Sequence, residues 1–328
     1  MDAFNGRIPA GIWGLSGALL VAALVLPFML SPFQLRLAQQ ILLFGGMAVA
    51  WEMLGGFTNY WSFGHTAFFG LGAFGAGLLG QQLDPSLSVA VKLMIGMAFA
   101  IGLAFVAALA IAIPVLNLRG IYFAIAMLAF AEILAEITKT FDAFHGTSGF
   151  PLPALLVPGL TKVQLFYFLF LVLFLANIAV FVWLRRSRIG MGLTCIGQDE
   201  DTASMLGIPT ERYKLIAFVL SAVLTAMGGV LYGYSLGFIS TGSVFRIDIS
   251  LNLILYTMLG GIGTVAGPII GAALMIVLTQ VVLGNLLDLH MMLTGAVLIA
   301  MVILAPKGLM GLARKVWDRR RGTAEGRP

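Results

Sequence analysis

Cysteine is almost missing from this chain: a single thiol, Cys195, rules out an intramolecular disulfide and a cysteine cluster for metal. Its setting among Arg and Asp residues reads as a reducing, cytosolic environment. Charge is scarce as well. Only 10% of the residues are Asp, Glu, Lys or Arg, against about 25% in soluble domains. With 60% hydrophobic residues and a mean hydropathy of +1.02, the chain has far more apolar surface than a soluble core uses. The net charge of +5 does not indicate nucleic acid, because the basic residues sit beside apolar runs and no nucleic-acid motif accompanies them. No cleavable signal peptide is expected, since Asp2 and Arg7 precede an apolar run that continues to full spanning length. No nucleophile–base pair or metal-ligand spacing stands out, which disfavours an intramembrane enzyme.

What the chain does have is long apolar runs. A spanning helix needs about 20 such residues, and candidates fall at 11–30, 37–55, 61–80, 93–116, 120–140, 163–184, 214–235, two within 249–287 broken near Gly260 to Gly267, and 289–306. The predicted fold is therefore an all-α, polytopic transmembrane helical bundle of about ten spans, one membrane domain over residues 1–328. Strands of a barrel would alternate polar and apolar residues, and these runs do not. The 40 glycines and 16 methionines suit close helix packing in lipid. An internal repeat is suggested only by MLGG at 53–56 and 258–261, too short a match to establish one.

Orientation follows from the basic residues. Arg185, Arg186, Arg188, Arg212 and Lys214 cluster in one loop, and Lys307, Arg314, Lys315, Arg319, Arg320, Arg321 and Arg327 form a basic tail over 307–328. Both segments are predicted to be cytoplasmic; span parity then puts both termini in the cytoplasm and the loop 141–162, an ordered turn region, outside.

The loop 185–213 reads as a short capped helix between two spans. Asp199, Glu200 and Asp201 stand at its start, where the helix dipole favours negative charge. Gly207 suits the left-handed position past its end, Ile208 the contact beyond, and Pro209 stops continuation. Over the predicted helix 198–206, Ala203, Met205 and Leu206 offer a small apolar surface, either for a groove on a cytoplasmic partner or for the lipid interface.

DTASMLG at 201–207 has the spacing of the E-A-A-x-x-x-G loop by which ABC importer permeases dock on their ATPase subunits, with Asp for Glu and Thr for the first Ala. SFGHTAFFGLGAF at 62–74, LRGIYFAIAMLAFAEI at 118–133, RYKLIAFVLSAVLTAMGGVLYG at 212–233, MLGGIGTVAGPIIGAAL at 258–274 and LAPKGL at 304–309 resemble the LivM-type permeases of branched-chain amino acid ABC importers. Thr66 and Met127 depart from commoner choices. The resemblance implies a second homologous permease, two cytosolic ATPase subunits and a periplasmic substrate-binding protein as partners. It implies docking residues Asp199, Glu200, Asp201, Ala203, Met205, Leu206 and Gly207. It also implies no cofactor in this chain, with ATP and Mg bound by the partner subunits. Consistently, GLTCIGQD at 192–199 has glycines at P-loop spacing but Gln198 and Asp199 where Lys and Ser/Thr would contact phosphate and Mg²⁺.

Ionisable groups in a membrane are functional candidates until a structural partner explains them. Glu52, Asn59 and His65 gather at the boundary of the second and third spans, and Glu132 and Glu136 lie one turn apart on the fifth. They are candidates for a substrate path; alternatively Glu52 and His65 satisfy each other or the backbone, and the glutamates lie at an aqueous end. His145 and His290 fall in predicted outer loops. Gly263, Gly267 and Gly271 recur every fourth residue with Pro268 among them, which predicts close packing or a broken, gating helix. The alternative function from another class is an ion-coupled secondary transporter using Glu52, His65, Glu132 or Glu136 as a relay.

Overall fold

The computed structural model describes residues 21–84, 86–141, 148–282 and 308–311. The expected span at 289–306, the first half of that at 11–30, His145, His290 and nearly all of the basic tail lie outside the described residues.

The described chain is mainly helical, and several of its helix starts follow from capping chemistry. Helix α1 (Pro32–Glu52) opens on Ser31, whose hydroxyl accepts from the Gln34 N–H while the Gln34 side chain accepts from the Ser31 N–H. The same reciprocal box, Thr161 with Gln164, opens α6 (Lys162–Arg186). Between them lie the four-residue α2 (Gly55–Thr58), α3 (His65–Gln82), α4 (Val89–Val115, capped by Ser88) and α5 (Ile121–Thr140). After α6 come two short helices, α7 (Arg188–Gln198) and α8 (Glu200–Met205). The chain returns through α9 (Thr210–Leu236), α10 (Thr241–Val244), α11 (Ile247–Gly260) and α12 (Ala266–Val277), which runs on into a π-helical turn at Leu278–Val282. A two-residue antiparallel pair, β1 (Phe150–Pro151) with β2 (Phe238–Ile239), registers Phe150 against Ile239.

Six helical segments among the described residues are long and apolar enough to cross a membrane: Pro32–Thr58, Val89–Val115, Ile121–Thr140, Lys162–Arg186, Thr210–Leu236 and Thr241–Gly260. Helix α3 falls short of that group because His65, Gln81 and Gln82 at its ends lower its hydropathy, yet it is largely buried and packs against both α4 and α9. Its glycines explain how. A Cβ on Gly72 would lie 2.1 Å from the Ala226 carbonyl oxygen, and one on Gly229 would lie 2.0 Å from that of Phe69. The α3 and α9 backbones therefore touch directly, with nothing larger than hydrogen tolerated at either crossing.

Helices α11 and α12 form a second close pair, joined by a turn at Gly261 to Val265. Gly267 and Gly271 lie on the packed face, where a Gly271 Cβ would be 1.9 Å from the Tyr256 carbonyl. Gly263 does not share that face. It sits in the turn with φ +82° and open space around its Cα. Pro268 lies in the first turn of α12, where its missing N–H breaks no helical hydrogen bond, so the interruption belongs to the glycine turn and not to the proline.

Two stretches run without helix inside the bundle. Asn59 to Gly64 climbs from the end of α2 to the start of α3, and Gly237 to Ser240 leads from α9 into the single turn of α10. Both deliver helix starts to the interior. His65 meets Ser221, eleven residues into the 27-residue α9, and the Thr66 N–H donates to the Ser250 hydroxyl of α11. Irregular backbone at such depth is tolerated because protein surrounds it.

Candidate functional site

The segment between α6 and α9 folds as two short helices where the sequence suggested one. Ser187 ends α6 and caps α7, its hydroxyl accepting from Gly190 N–H at 3.1 Å. Helix α7 lies on the bundle through Gly190, Gly192, Leu193 and Ile196, the glycines admitting the Leu184 carbonyl and the Tyr213 ring. Helix α8 then starts on Asp199, whose carboxylate accepts from Thr202 N–H at 2.6 Å, with Glu200 and Asp201 in its first turn. It closes with Gly207 N–H on the Ser204 carbonyl and Ile208 N–H on that of Ala203, Gly207 being left-handed at φ +80°. These two bonds form the Schellman ending that the Gly-Ile-Pro sequence predicts.

Two faces of α8 differ sharply. Met205 and Leu206 are 87% and 74% exposed. Ala203, expected on the same apolar surface, is fully buried in a cluster with Leu116, Leu193 and Ile196. It anchors the helix inward and is corrected out of the outer surface. A helix this short has one inner stripe, and the position two residues after Asp201 falls on it.

The acidic start of α8 is clamped to the bundle. The Lys214 ammonium, 2% exposed, donates to Glu200 Oε1 (2.6 Å), the Tyr60 hydroxyl (3.0 Å) and the Leu116 carbonyl (2.9 Å). All three of its protons are thus used. The Tyr60 hydroxyl donates to Glu200 Oε2 at 2.6 Å, and its ring lies 4.7 Å below the same ammonium. Arg119, just past α4, forks onto Asp201 with bonds of 3.0 and 2.9 Å and approaches Glu200 at 3.7 Å. Burial by itself would raise the Glu200 carboxyl, but the bonds from Lys214 and Tyr60 and the Lys214 and Arg119 charges outweigh it, leaving it below the ordinary 4.5. Burial, then the Glu200 bond, pushes the Tyr60 hydroxyl up, and the Thr202 N–H holds the Asp199 carboxyl down. Among these partners Lys214 counted in the sequence only as a topology charge, and Tyr60 and Arg119 carried no signal that paired them with α8.

The other expected residues separate. Asn59 adopts a left-handed conformation at the end of α2 and donates to the Gly197 carbonyl at 2.7 Å, fastening the α1–α3 connection to α7. Glu52, 1% exposed, accepts through Oε1 from the Gly263 N–H, while Oε2 is buried without a hydrogen-bond partner. His65, fully buried, bridges Ser62 (3.0 Å) and Ser221 (2.5 Å) through its two ring nitrogens. Glu52 and His65 do not bond each other; the Trp51 indole packs near the His65 ring, with centroids 6.5 Å apart, and donates to the Ser62 carbonyl. Asn177, unremarked in the sequence, is buried in α6 with neither side-chain polar atom bonded.

Glu132 and Glu136 are both exposed on α5 but differ in company. Glu136 pairs with Lys139 at 3.1 Å. Glu132 lines a cavity of about 340 Å³ with Lys139, Arg246, Asp248 and Phe245. A second cavity of about 430 Å³ lies among α1, α6 and α9, where Arg36, Lys162 and Tyr232 face it. No cluster of three or more metal-ligating side chains occurs among the described residues.

Comparison with known proteins adds a family. Residues 33–302 match the family described as the permease component of the branched-chain amino acid transport system. The chain is 26% identical over 338 residues to the high-affinity branched-chain amino acid transport system permease protein LivM of Escherichia coli K12, covering 94% of this chain and 77% of that protein. A LivH permease of the same kind of system, from Salmonella typhimurium, is 31% identical over 146 residues, 44% of this chain and 46% of that one. The autoinducer 2 import system permease protein LsrC of Yersinia enterocolitica is 32% identical over 108 residues, 32% of this chain and 29% of its own. No solved structure matches.

Proposed function

Because this multi-pass membrane chain belongs to the family of branched-chain amino acid transport system permease components, we propose that it is the conducting subunit of an ATP-driven importer for branched-chain or other small amino acids, working by alternating access in the bacterial inner membrane. It spans the bilayer about ten times with both termini in the cytoplasm. It pairs with a second homologous permease, receives substrate from a periplasmic binding protein, and is driven by two cytosolic ATPase subunits that bind ATP and Mg. The chain itself carries no covalent chemistry.

The observation behind this reading is α8. A six-residue helix with two bare apolar side chains, Met205 and Leu206, is held rigid by a buried ammonium at its root. Lipid contact alone would not need such a clamp, whereas a lever moved by a partner does. Asp199, Glu200, Asp201 and Gly207 shape and fix the helix, and Met205 and Leu206 are its contact surface.

The test is a Met205→Glu, Leu206→Glu double variant, both positions being exposed enough to leave folding intact. ATPase co-purification and ATP-driven uptake in proteoliposomes should fall together by at least tenfold. Wild-type uptake by that variant would overturn the docking assignment. Uptake by this chain without ATPase subunits, driven by an ion gradient, would replace the importer reading with the ion-coupled one.

A further inference from the structure

The cavity at Glu132 runs inward from Lys139, near the end of α5, and its inner end lies within the span. Glu132 is eight residues from the end of α5 at Thr140, about 12 Å at the ~1.5 Å helical rise. Its opposite wall is the start of α11, whose N-terminus is delivered to that depth by the unwound approach from α9. Ion-lined space at such depth marks a path for solute rather than a lipid contact. Helix starts exposed at mid-membrane are where anionic groups of substrates are received.

The wall is a built one. The Thr66 hydroxyl donates to the carbonyls of Arg246 (2.9 Å) and Val244 (3.3 Å), and the Thr138 hydroxyl bonds that of Thr241 at 3.1 Å, fixing α5, α3 and the α10–α11 segment together. Four charges face the cavity, two of each sign: Glu132, Asp248, Lys139 and Arg246. Three are already engaged. Arg246 pairs with Asp248 through Nε and Nη2 (2.9 and 2.8 Å), which leaves its Nη1 donors, and Lys139 pairs with Glu136. The Glu132 carboxylate has no hydrogen bond or ion pair among the described residues. Phe245 and Ala135, both buried, supply apolar wall.

Resting on the importer reading above, we propose that this cavity binds the amino acid in transit as a zwitterion, Glu132 taking the ammonium, Arg246 Nη1 and the α11 N-terminus the carboxylate, and Phe245 the aliphatic side chain. Its volume is at the lower end of the range of small-molecule sites, about 300–1,000 Å³. The other cavity presents the cations Arg36 and Lys162 with no carboxylate among its lining residues, so it offers nothing for an ammonium.

The test uses the assembled transporter in proteoliposomes with its binding protein and ATP. Position 242 has open space around its Cα and lines the cavity, so Gly242→Cys in a Cys195→Ser background places a thiol there. Leucine supplied with the binding protein should slow labelling of that thiol by a membrane-impermeant reagent at least fivefold, and Glu132→Gln should abolish the protection and cut uptake at least tenfold. Labelling that is indifferent to leucine while the same vesicles accumulate it would overturn the site and leave the importer reading standing. Absence of ATP-driven leucine uptake by the wild-type assembly would instead overturn the importer reading. If Glu132→Gln does not assemble, Arg246→Gln replaces it; loss of protection there supports the site, and retained protection refutes it.

Discussion

Replacing Lys214 by methionine removes one ammonium and leaves its stem volume, so the effect isolates the clamp on α8. Removing one partner of a buried ion pair costs about 3–5 kcal/mol. Glu200 keeps the Tyr60 hydroxyl, has Arg119 Nε at 3.7 Å, and is itself 13% exposed, which screens part of the loss. The expected cost to the docked state of α8 is therefore about 2–3 kcal/mol, a factor of roughly 30–150 in its local opening. Glu200→Leu is expected to cost more, since it strands Lys214, 2% exposed, with only a hydroxyl and a carbonyl. The double variant should recover most of both losses, because a buried ion pair exchanged for apolar side chains is close to neutral. Amide hydrogen exchange at Leu206, Gly207 and Ile208, whose N–H groups close the end of α8, reads the opening directly. Exchange should accelerate in each single variant and return to within about threefold of wild type in the double. Additive single effects, with coupling under about 0.5 kcal/mol, would refute the clamp.

Acid should release the same helix. Glu200 titrates below its ordinary 4.5 in the folded chain, so its contribution is complete above that value and lost as pH falls through the lower folded one; the opening of α8, read as exchange at the three amides divided by the intrinsic exchange rate at each pH, should be flat above about pH 5 and rise below it. Gly229→Ala forces a methyl into the Phe69 carbonyl and should lower the thermal midpoint of the solubilised protein by an amount equivalent to about 1–3 kcal/mol, whereas Gly102→Ala, with open space around it, should not. Glu52→Gln keeps an acceptor for Gly263 N–H and should retain uptake, while Glu52→Leu should lose it with the turn between α11 and α12 disordered by proteolysis. Gly207→Pro should abolish uptake, because proline reaches neither φ +80° nor the bond to Ser204.

The helices themselves were legible because lipid imposes a single rule, a run of apolar residues long enough to close every backbone hydrogen bond. Predicted spans at 120–140, 163–184 and 214–235 match α5, α6 and α9 to within a few residues. Capping chemistry was equally local, so Asp199 and Gly207 were placed correctly at the two ends of α8. The start of α3 lies four residues later than expected for the opposite reason: Trp61 to Gly64 is apolar enough to be helical, but the Trp51 indole holds the Ser62 carbonyl and the segment stays out of the helix.

Partnerships across the chain were not legible, and the site depends on them. Asn59 and His65 looked like one polar cluster with Glu52 because sequence distance was the only measure at hand. In the fold Asn59 reaches Gly197, 138 residues away, and His65 reaches Ser221, 156 residues away. Lys214 shows the limit most clearly. At the start of an apolar helix beside Arg212, it carries every sign of a solvated topology charge. What buries it is the return of Tyr60 and Leu116 to the same point, from the α2–α3 connection and the end of α4, around an acidic cap that sequence had already located. The capped turn of α8 can thus be read from consecutive residues, while what fastens it to the membrane bundle lies in residues 14, 98 and 154 positions apart.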